Sequence, residues 1–375
     1  MISPQEFLDC LSRLGINFFA GVPDSLLQEL CLAITDRIEG NSHIICANEG
    51  NAVAMAAGHY LATGNPGAVY MQNSGLGNAL NPLLSLADKE VYGIPMLLII
   101  GWRGEPEKPD EPQHIKQGRV QNSLLVAAEI PYRIIDSSTT DAAEIVENLM
   151  KLSVEKHNPV ALIVRKGAFA QYPKPKATPN PEALLGREEA LEVILDAIST
   201  AIVVSTTGKT SREVFELRGK KGQPCRDFLT VGSMGHSSSL AAAIAMAKPK
   251  RRVVCLDGDG AMLMHLGALA VIGNHKPANL IHILLNNHCH ESVGGQPTPS
   301  QQIDFSLLSK SLGYLHYYLA GEINSLQEAL VNCRTAKGPV LLEVIIKPGS
   351  RKDLGRPTKS PAENKHLFMD FCTEE

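Results

Sequence analysis

Nowhere in the 375 residues is there an unbroken apolar run approaching the roughly 20 residues of a membrane-spanning helix. A protein without membrane spans is expected. The opening MISPQEFLDCLSRLG has no charged segment followed by an apolar core, so no secretory leader is expected either. Basic blocks are also missing: 35 Lys and Arg stand against 39 Asp and Glu, a net charge of -4 without the clusters that track a phosphate backbone. Nucleic acid is excluded as an expected partner. The eight cysteines (Cys10, Cys31, Cys46, Cys225, Cys255, Cys289, Cys333, Cys372) form no CxxC pair. Zinc and iron-sulfur frameworks are therefore not expected, and reduced thiols in a cytoplasmic protein are. No letter-level repeat points to a short-period solenoid.

What the chain does have is a rhythm. Apolar, β-branched runs recur as NFFAGV, HIICA, GAVYMQN, PMLLIIGW, YRIID and VALIVR, separated by segments of helical period such as SPQEFLDCLSRLG. The segment QYPKPKATPNPEALLG then brings four prolines, which remove backbone donors and favour extended chain. After it the alternation resumes with AIVVS, DFLTV, RVVCLDGDG, NLIHILLN, YLHYYL and PVLLEVII. The expectation is two doubly wound α/β domains with parallel sheets, over 1–170 and 187–375, joined by a linker at 171–186. From Lys347 onward charge and proline predict an extended arm.

The strongest local signal is RRVVCLDGDGAM followed by LLNNHCHES, in which GDG (Gly258, Asp259, Gly260) and Asn286-Asn287 are separated by 25 residues. Both close predicted strands, and parallel α/β sheets bind small molecules at their carboxyl edge. The Asp259 carboxylate, the Asn287 amide oxygen and the main-chain carbonyl of Cys289 are hard oxygen ligands suited to Mg²⁺. Ordinary turn chemistry also uses Asp-Gly and Asn-Asn. Upstream, VGSMGHSSSLAAAIAM sets Gly232, Ser233, Gly235 and His236 before an alanine-rich helix. That is either an anion-facing helix start or a plainly capped one. STTGKTSRE lacks the first glycine of a P-loop, Val203 standing in its place, so nucleotide hydrolysis is rejected.

GDG, 25 residues and NN, in this strand-helix-strand setting, resembles the thiamine diphosphate signature. The segments GVPDSLL, CANEGNAVAMAAGHYLATG, MQNSGLGNALNPL, GWRGEPEKPDEPQHIKQG, SVGGQPT and RKDLGRP extend the resemblance over essentially the whole chain. It runs to the thiamine diphosphate decarboxylases, nearest to those acting on phosphonopyruvate and next to those acting on sulfopyruvate. The proline linker leaves no room for the middle domain of related enzymes, so a pyrimidine-binding and a diphosphate-binding domain are expected alone. The resemblance implies thiamine diphosphate and Mg²⁺ as cofactors. It makes Glu49 the acid that acts on the aminopyrimidine, Met234 an apolar wedge under the cofactor, and Thr206, Thr207 and Gly208 a lining of its pocket. A homo-oligomer with active sites at the subunit interface follows as well.

For the substrate, a phosphonate tail calls for cations and amide donors. Arg103, Lys116, Gln117, Asp24, Asn73 and Ser74 are candidates, with His114 or His290 as proton donor and Arg351 and Arg356 left unassigned. The implied activity is a carboxy-lyase releasing CO₂ and phosphonoacetaldehyde, as in 2-aminoethylphosphonate biosynthesis. Sulfopyruvate decarboxylation, a carboligase and a cofactor-binding non-enzyme are the alternatives.

Overall fold

The computed structural model describes residues 1–173 and 185–374. They divide into two compact units, one built from the residues up to 173 with Val293–Gln296, the other from the rest. Most of the expected linker, at 174–184, lies outside the described residues.

In the first unit every apolar run becomes a strand: β1 (Phe19–Gly21), β2 (His43–Ile45), β3 (Gly67–Gln72), β4 (Met96–Gly101), β5 (Tyr132–Ile135) and β6 (Val160–Val164). They form one sheet in the order β2-β1-β3-β4-β6-β5, each pair parallel. Runs apolar at every position suit a sheet covered on both faces. Alternate residues duly divide between two cores, with Tyr70, Leu97, Ile99 and Leu162 in one and Val69, Met71, Leu98 and Ile163 in the other. The covering helices are α1 (Pro4–Arg13), α2 (Gln28–Arg37), α3 (Glu49–Thr63), α4 (Leu76–Pro82), α5 (Pro112–Ala127) and α6 (Ala142–Lys156).

The second unit repeats the plan with β7 (Ile202–Ser205), β8 (Phe228–Leu229), β9 (Val253–Gly258), β10 (Leu280–Asn286), β11 (His316–Ala320) and β12 (Val340–Ile345). Its order, β8-β7-β9-β10-β12-β11, has the same topology as the first, again parallel throughout. Register fixes the site: Leu285 lies opposite Gly258, so Asp259 and Asn287 leave the sheet at one edge. Helix α7 (Arg187–Ala197) leads into β7, and α8 (Lys209–Lys220), α9 (Ser237–Ala247), α10 (Asp259–Met264), α11 (Gly267–His275), α12 (Phe305–Ser311) and α13 (Ile323–Thr335) connect the strands.

The carboxyl-terminal stretch corrects the expectation of an extended arm. Pro361–Thr373 is a helix, α14, opened by a capping box between Ser360 and Glu363. Phe368 and Phe371 drive it, because both are buried in the second unit's core. No helix among the described residues is long and apolar enough to cross a membrane.

Candidate functional site

In the first unit the candidate residues leave the carboxyl ends of four neighbouring strands: Glu49 after β2, Asp24 after β1, Asn73 and Ser74 after β3, and Arg103 after β4. Glu49 opens α3, where Asn48 caps the helix by accepting the Gly50 N–H. Glu49 is 5% exposed, and its Oε2 accepts from Asn78 Nδ2 at 2.8 Å. Burial pushes its pKa up, and the Asn78 donor offsets only part of that rise. Gly75 makes the pocket possible: a Cβ there would lie 2.5 Å from Glu49 Oε1. The sequence alone does not mark Gly75 or Asn78 as functional, although both lie in the family-like segment MQNSGLGNALNPL.

Asp24 is fully buried, with Oδ1 accepting from Gln72 Nε2 at 2.7 Å and Oδ2 from Leu26 N–H at 3.1 Å. Burial raises its pKa too. Asn73 holds the Arg103 backbone at both ends, donating to its carbonyl at 2.8 Å and accepting its N–H at 3.2 Å. Ser74 is exposed and donates to Gln72. Three of the five N–H donors of the Arg103 guanidinium are engaged within the fold: its Nε donates to Asp110 at 2.9 Å, its Nη2 to the same carboxylate, and its Nη1 to Ser25 at 3.0 Å. In α5, Lys116 is exposed and Gln117 half-buried. His114 is buried there with no partner for Nδ1 among the described residues, and burial pushes its pKa down to about 4.

The second unit uses the corresponding four strand ends. Thr206, Thr207 and Gly208 follow β7, Gly232 to His236 follow β8, Asp259 follows β9 and Asn287 follows β10. Helices α8, α9 and α10 all begin without a side-chain cap on their first N–H groups. Such helix starts favour an anion. Gly235 packs tightly against α10, a Cβ there lying 2.8 Å from the Ala261 carbonyl. Ser233 and His236 are exposed, and Gly232 and Met234 half-buried.

Asp259 is 3% exposed, and its Oδ2 accepts from the hydroxyls of Thr298 and of Ser300, the latter at 2.9 Å. Burial raises its pKa against those donors. Ser300 Oγ also lies 3.2 Å from Asn286 Oδ1 and 2.8 Å from His288 Nδ1. Asn287 donates to Glu291 and accepts the Cys289 N–H at 3.1 Å. His290 packs on Gly260, its Nε2 buried without a partner among the described residues and its pKa pushed by burial down to about 4. Thr298, Ser300 and Glu291 escaped sequence reading because hydroxyls and a loop carboxylate carry no spacing signal of their own.

A different buried group, Cys255, Asp257 and His282, also brings potential metal ligands within 4.8 Å of one another. Both ring nitrogens of His282 are already engaged there, by Tyr314 at 3.1 Å and Asp257 at 3.3 Å. Arg351, left unassigned, is tied to Glu188, Glu216 and Asp353.

Two family models match the chain, the thiamine pyrophosphate enzyme N-terminal TPP binding domain over residues 4–125 and the C-terminal TPP binding domain over 207–344. A phosphonopyruvate decarboxylase of Streptomyces hygroscopicus is 36% identical over 100% of this chain and 95% of its own length. The chain belongs to the phosphonopyruvate decarboxylase family of thiamine pyrophosphate enzymes. A sulfopyruvate decarboxylase of Methanosarcina acetivorans is 27% identical over 99% of this chain and 98% of that protein. A sulfopyruvate decarboxylase subunit beta of Methanothermobacter thermautotrophicus is 36% identical over 44% of this chain and 85% of that subunit. Family membership makes the chain a thiamine diphosphate-dependent decarboxylase without a middle domain. The residues fit that cofactor. Glu49 is a buried acid with an amide donor on it, and the helix starts after β7, β8 and β9 carry no side-chain cap beside the strand ends of Asp259 and Asn287.

Proposed function

We propose that the chain decarboxylates 3-phosphonopyruvate to phosphonoacetaldehyde and CO₂ with thiamine diphosphate and Mg²⁺, in the biosynthesis of phosphonates such as 2-aminoethylphosphonate. The observation that carries the chemistry is Glu49, buried, raised in pKa and backed by Gly75. The substrate choice is supported by the 36% identity to the Streptomyces enzyme over the full chain against 27% for the Methanosarcina one.

Thiamine diphosphate supplies the nucleophilic carbon and the electron sink for CO₂ loss. Glu49 holds the pyrimidine end and shares a proton with it through its carboxyl oxygen; a carboxyl whose burial favours the protonated form suits that exchange. Asp259, Asn287 and the carbonyl of Cys289 hold Mg²⁺, whose charge offsets the cost of burying the Asp259 carboxylate. Thr206, Thr207, Gly208, Gly232, Ser233, Gly235, His236, Gly258 and Gly260 face the diphosphate, and Met234 supports the rings. Asp24, Asn73, Ser74, Arg103, Lys116 and Gln117 form the substrate recess. At pH 7 His114 and His290 are neutral, so either one acts as proton donor only after an anionic substrate raises its pKa.

The domains are assigned as pyrimidine-binding over 1–170 and diphosphate-binding over 187–375, and the protein as a cytoplasmic homo-oligomer whose active sites lie at the subunit interface. A relative about half this length being named a subunit supports assembly. Sulfopyruvate is the second reading, favoured by one observation: the Arg103 charge is matched within the fold by Asp110, which suits a singly charged tail.

The deciding experiment measures aldehyde and CO₂ release from phosphonopyruvate, sulfopyruvate and pyruvate, with and without thiamine diphosphate and Mg²⁺, beside Glu49→Ala. Cofactor-dependent turnover preferring phosphonopyruvate is expected. A preference for sulfopyruvate overturns the tail assignment, and the absence of cofactor-dependent turnover of all three overturns the reading.

A further inference from the structure

A primary amide presents an oxygen at one end and an NH₂ at the other, and only the oxygen binds a cation. The hydrogen-bond network therefore decides whether Asn287 can be a metal ligand. Its Nδ2 donates to Glu291 Oε2 at 3.0 Å and its Oδ1 accepts the Cys289 N–H at 3.1 Å. Glu291 is itself fixed from two sides: Arg187 Nη1 donates to Oε2 and Lys209 Nζ to Oε1, each at 2.7 Å. Arg187 is held in turn by Glu213, which accepts from Nε at 2.7 Å and Nη2 at 2.9 Å, both side chains buried. With cations on both oxygens the Glu291 carboxylate cannot turn away from Asn287. Lys209 opens α8 directly after the Thr206–Gly208 turn, so one carboxylate ties that turn to the loop of Asn287.

We propose that Glu291 is a positioning residue that fixes the Asn287 amide with its oxygen towards the metal, and that Arg187 and Lys209 hold Glu291 in place for that task. This rests on the reading of Asn287 as a Mg²⁺ ligand. A purely structural ion-pair cluster and a purely electrostatic attraction for Mg²⁺ are the competing roles, and three variants separate them.

Mg²⁺ affinity is measured by calorimetry with thiamine diphosphate saturating, beside the thermal midpoint of the apoprotein. Glu291→Met removes both acceptors at similar volume and frees the amide to rotate; a loss of about 10- to 100-fold in Mg²⁺ affinity is expected, the usual penalty for removing an outer-sphere partner of a ligand. Glu291→Gln keeps one oxygen for Arg187 and Asn287 while losing the charge, and is expected to stay within about threefold of native affinity, although both variants lower the midpoint. Equal loss in the two overturns the proposal in favour of charge alone, and unchanged affinity in Glu291→Met overturns it outright. Asn287→Asp decides the matter should Glu291→Met not fold, since it sets an oxygen against Glu291 Oε2 with no proton between them. It should weaken Mg²⁺ binding despite its added charge, and native affinity or better overturns the proposal. A native protein that takes up no Mg²⁺ removes the metal reading and this inference together, whereas native uptake with an unaffected Glu291→Met removes the inference alone.

Discussion

The two units share one strand order and carry opposite chemistry on it. Topologically equivalent strand ends bear Asp24 against Thr206, Glu49 against the Gly232–His236 turn, Asn73 against Asp259, and Arg103 against Asn287. In the first unit Glu49 sits buried at a capped helix start, where its carboxyl accepts from a neutral amide, Asn78. Proton exchange needs that setting, because solvation or a cation would stabilise the charged form. In the second unit the starts of α8, α9 and α10 carry no side-chain cap, Asp259 receives two hydroxyls, and a network of Arg187, Glu213, Glu291 and Lys209 stiffens the neighbouring loop. Anion and cation binding needs that setting. One topology thus supplies four adjacent loops in each unit, and under the proposed function their side chains decide whether they move a proton or hold a charge.

The largest effect should follow from breaking the proton-moving side. Glu49→Gln should lower kcat by about 100- to 10,000-fold in steady-state assays, the usual range for an acid-base residue. The fold should gain stability at the same time. Because burial raises the Glu49 pKa, its contribution is favourable only while it is protonated and is lost as pH rises through the folded value. A neutral glutamine removes that cost at pH 7, so denaturant unfolding should show a more stable variant; a less stable one contradicts the desolvated setting. Asp259→Asn tests the charge-holding side. It should weaken Mg²⁺ by about 100-fold in calorimetry, since charge count sets affinity at oxygen sites, while leaving Glu49 undisturbed.

Gly75→Ala sharpens the contrast sterically. The new methyl would lie 2.5 Å from Glu49 Oε1, so a destabilisation of about 1–3 kcal/mol is expected together with lost turnover. Gly77→Ala, two residues on with nothing within 4 Å, should be neutral or slightly stabilising. Equal behaviour of the two would mean that the recess is not tight. A smaller effect is expected from pH. His114 has its pKa lowered from 6.5 to about 4, so the fold prefers it neutral. Stability is whole above pH 6.5, falls as pH drops towards 4 and levels off below, by on the order of 3 kcal/mol at most. In denaturant titrations at several pH values, His114→Gln should flatten that slope.

Strand rhythm made the fold readable: all twelve apolar runs became strands of the two sheets, because parallel strands buried on both faces must be apolar almost throughout. The helix α14 was missed because prolines and charges before it mask Phe368 and Phe371. At the site, Glu49, Asp259 and Asn287 stand out in the sequence as candidates because each follows a strand beside a glycine- or asparagine-containing turn. Arg103 was legible as a residue but not in its state, since pairing with Asp110 arises from loop geometry rather than spacing. Asn78, Thr298 and Ser300 touch the acids across 29, 39 and 41 residues of chain, distances at which no local pattern survives.

Cys289 offers the smallest expected effect and a sharp division between the two kinds of chemistry. If the second unit holds a hard cation by oxygens alone, the main-chain carbonyl of Cys289 serves and its sulfur does not. Burial, with Glu291 and Asp259 nearby, pushes the thiol pKa up to about 12, so without a metal the sulfur is a neutral thiol at pH 7, a poor partner for a hard cation. Cys289→Ala leaves the carbonyl in place, and Mg²⁺ affinity and kcat should both stay within about twofold of native, because neither an oxygen ligand nor a hydrogen-bond partner of one is removed. Zn²⁺ separates the alternatives further. A thiol ligand would make native protein prefer Zn²⁺ and Cys289→Ala lose that preference, whereas oxygen ligation leaves the Zn²⁺ to Mg²⁺ ratio the same in both proteins. A shift in that ratio would show the loop after β10 to be a soft-metal site, and the contrast between a proton-moving and a hard-cation unit would fail at that strand.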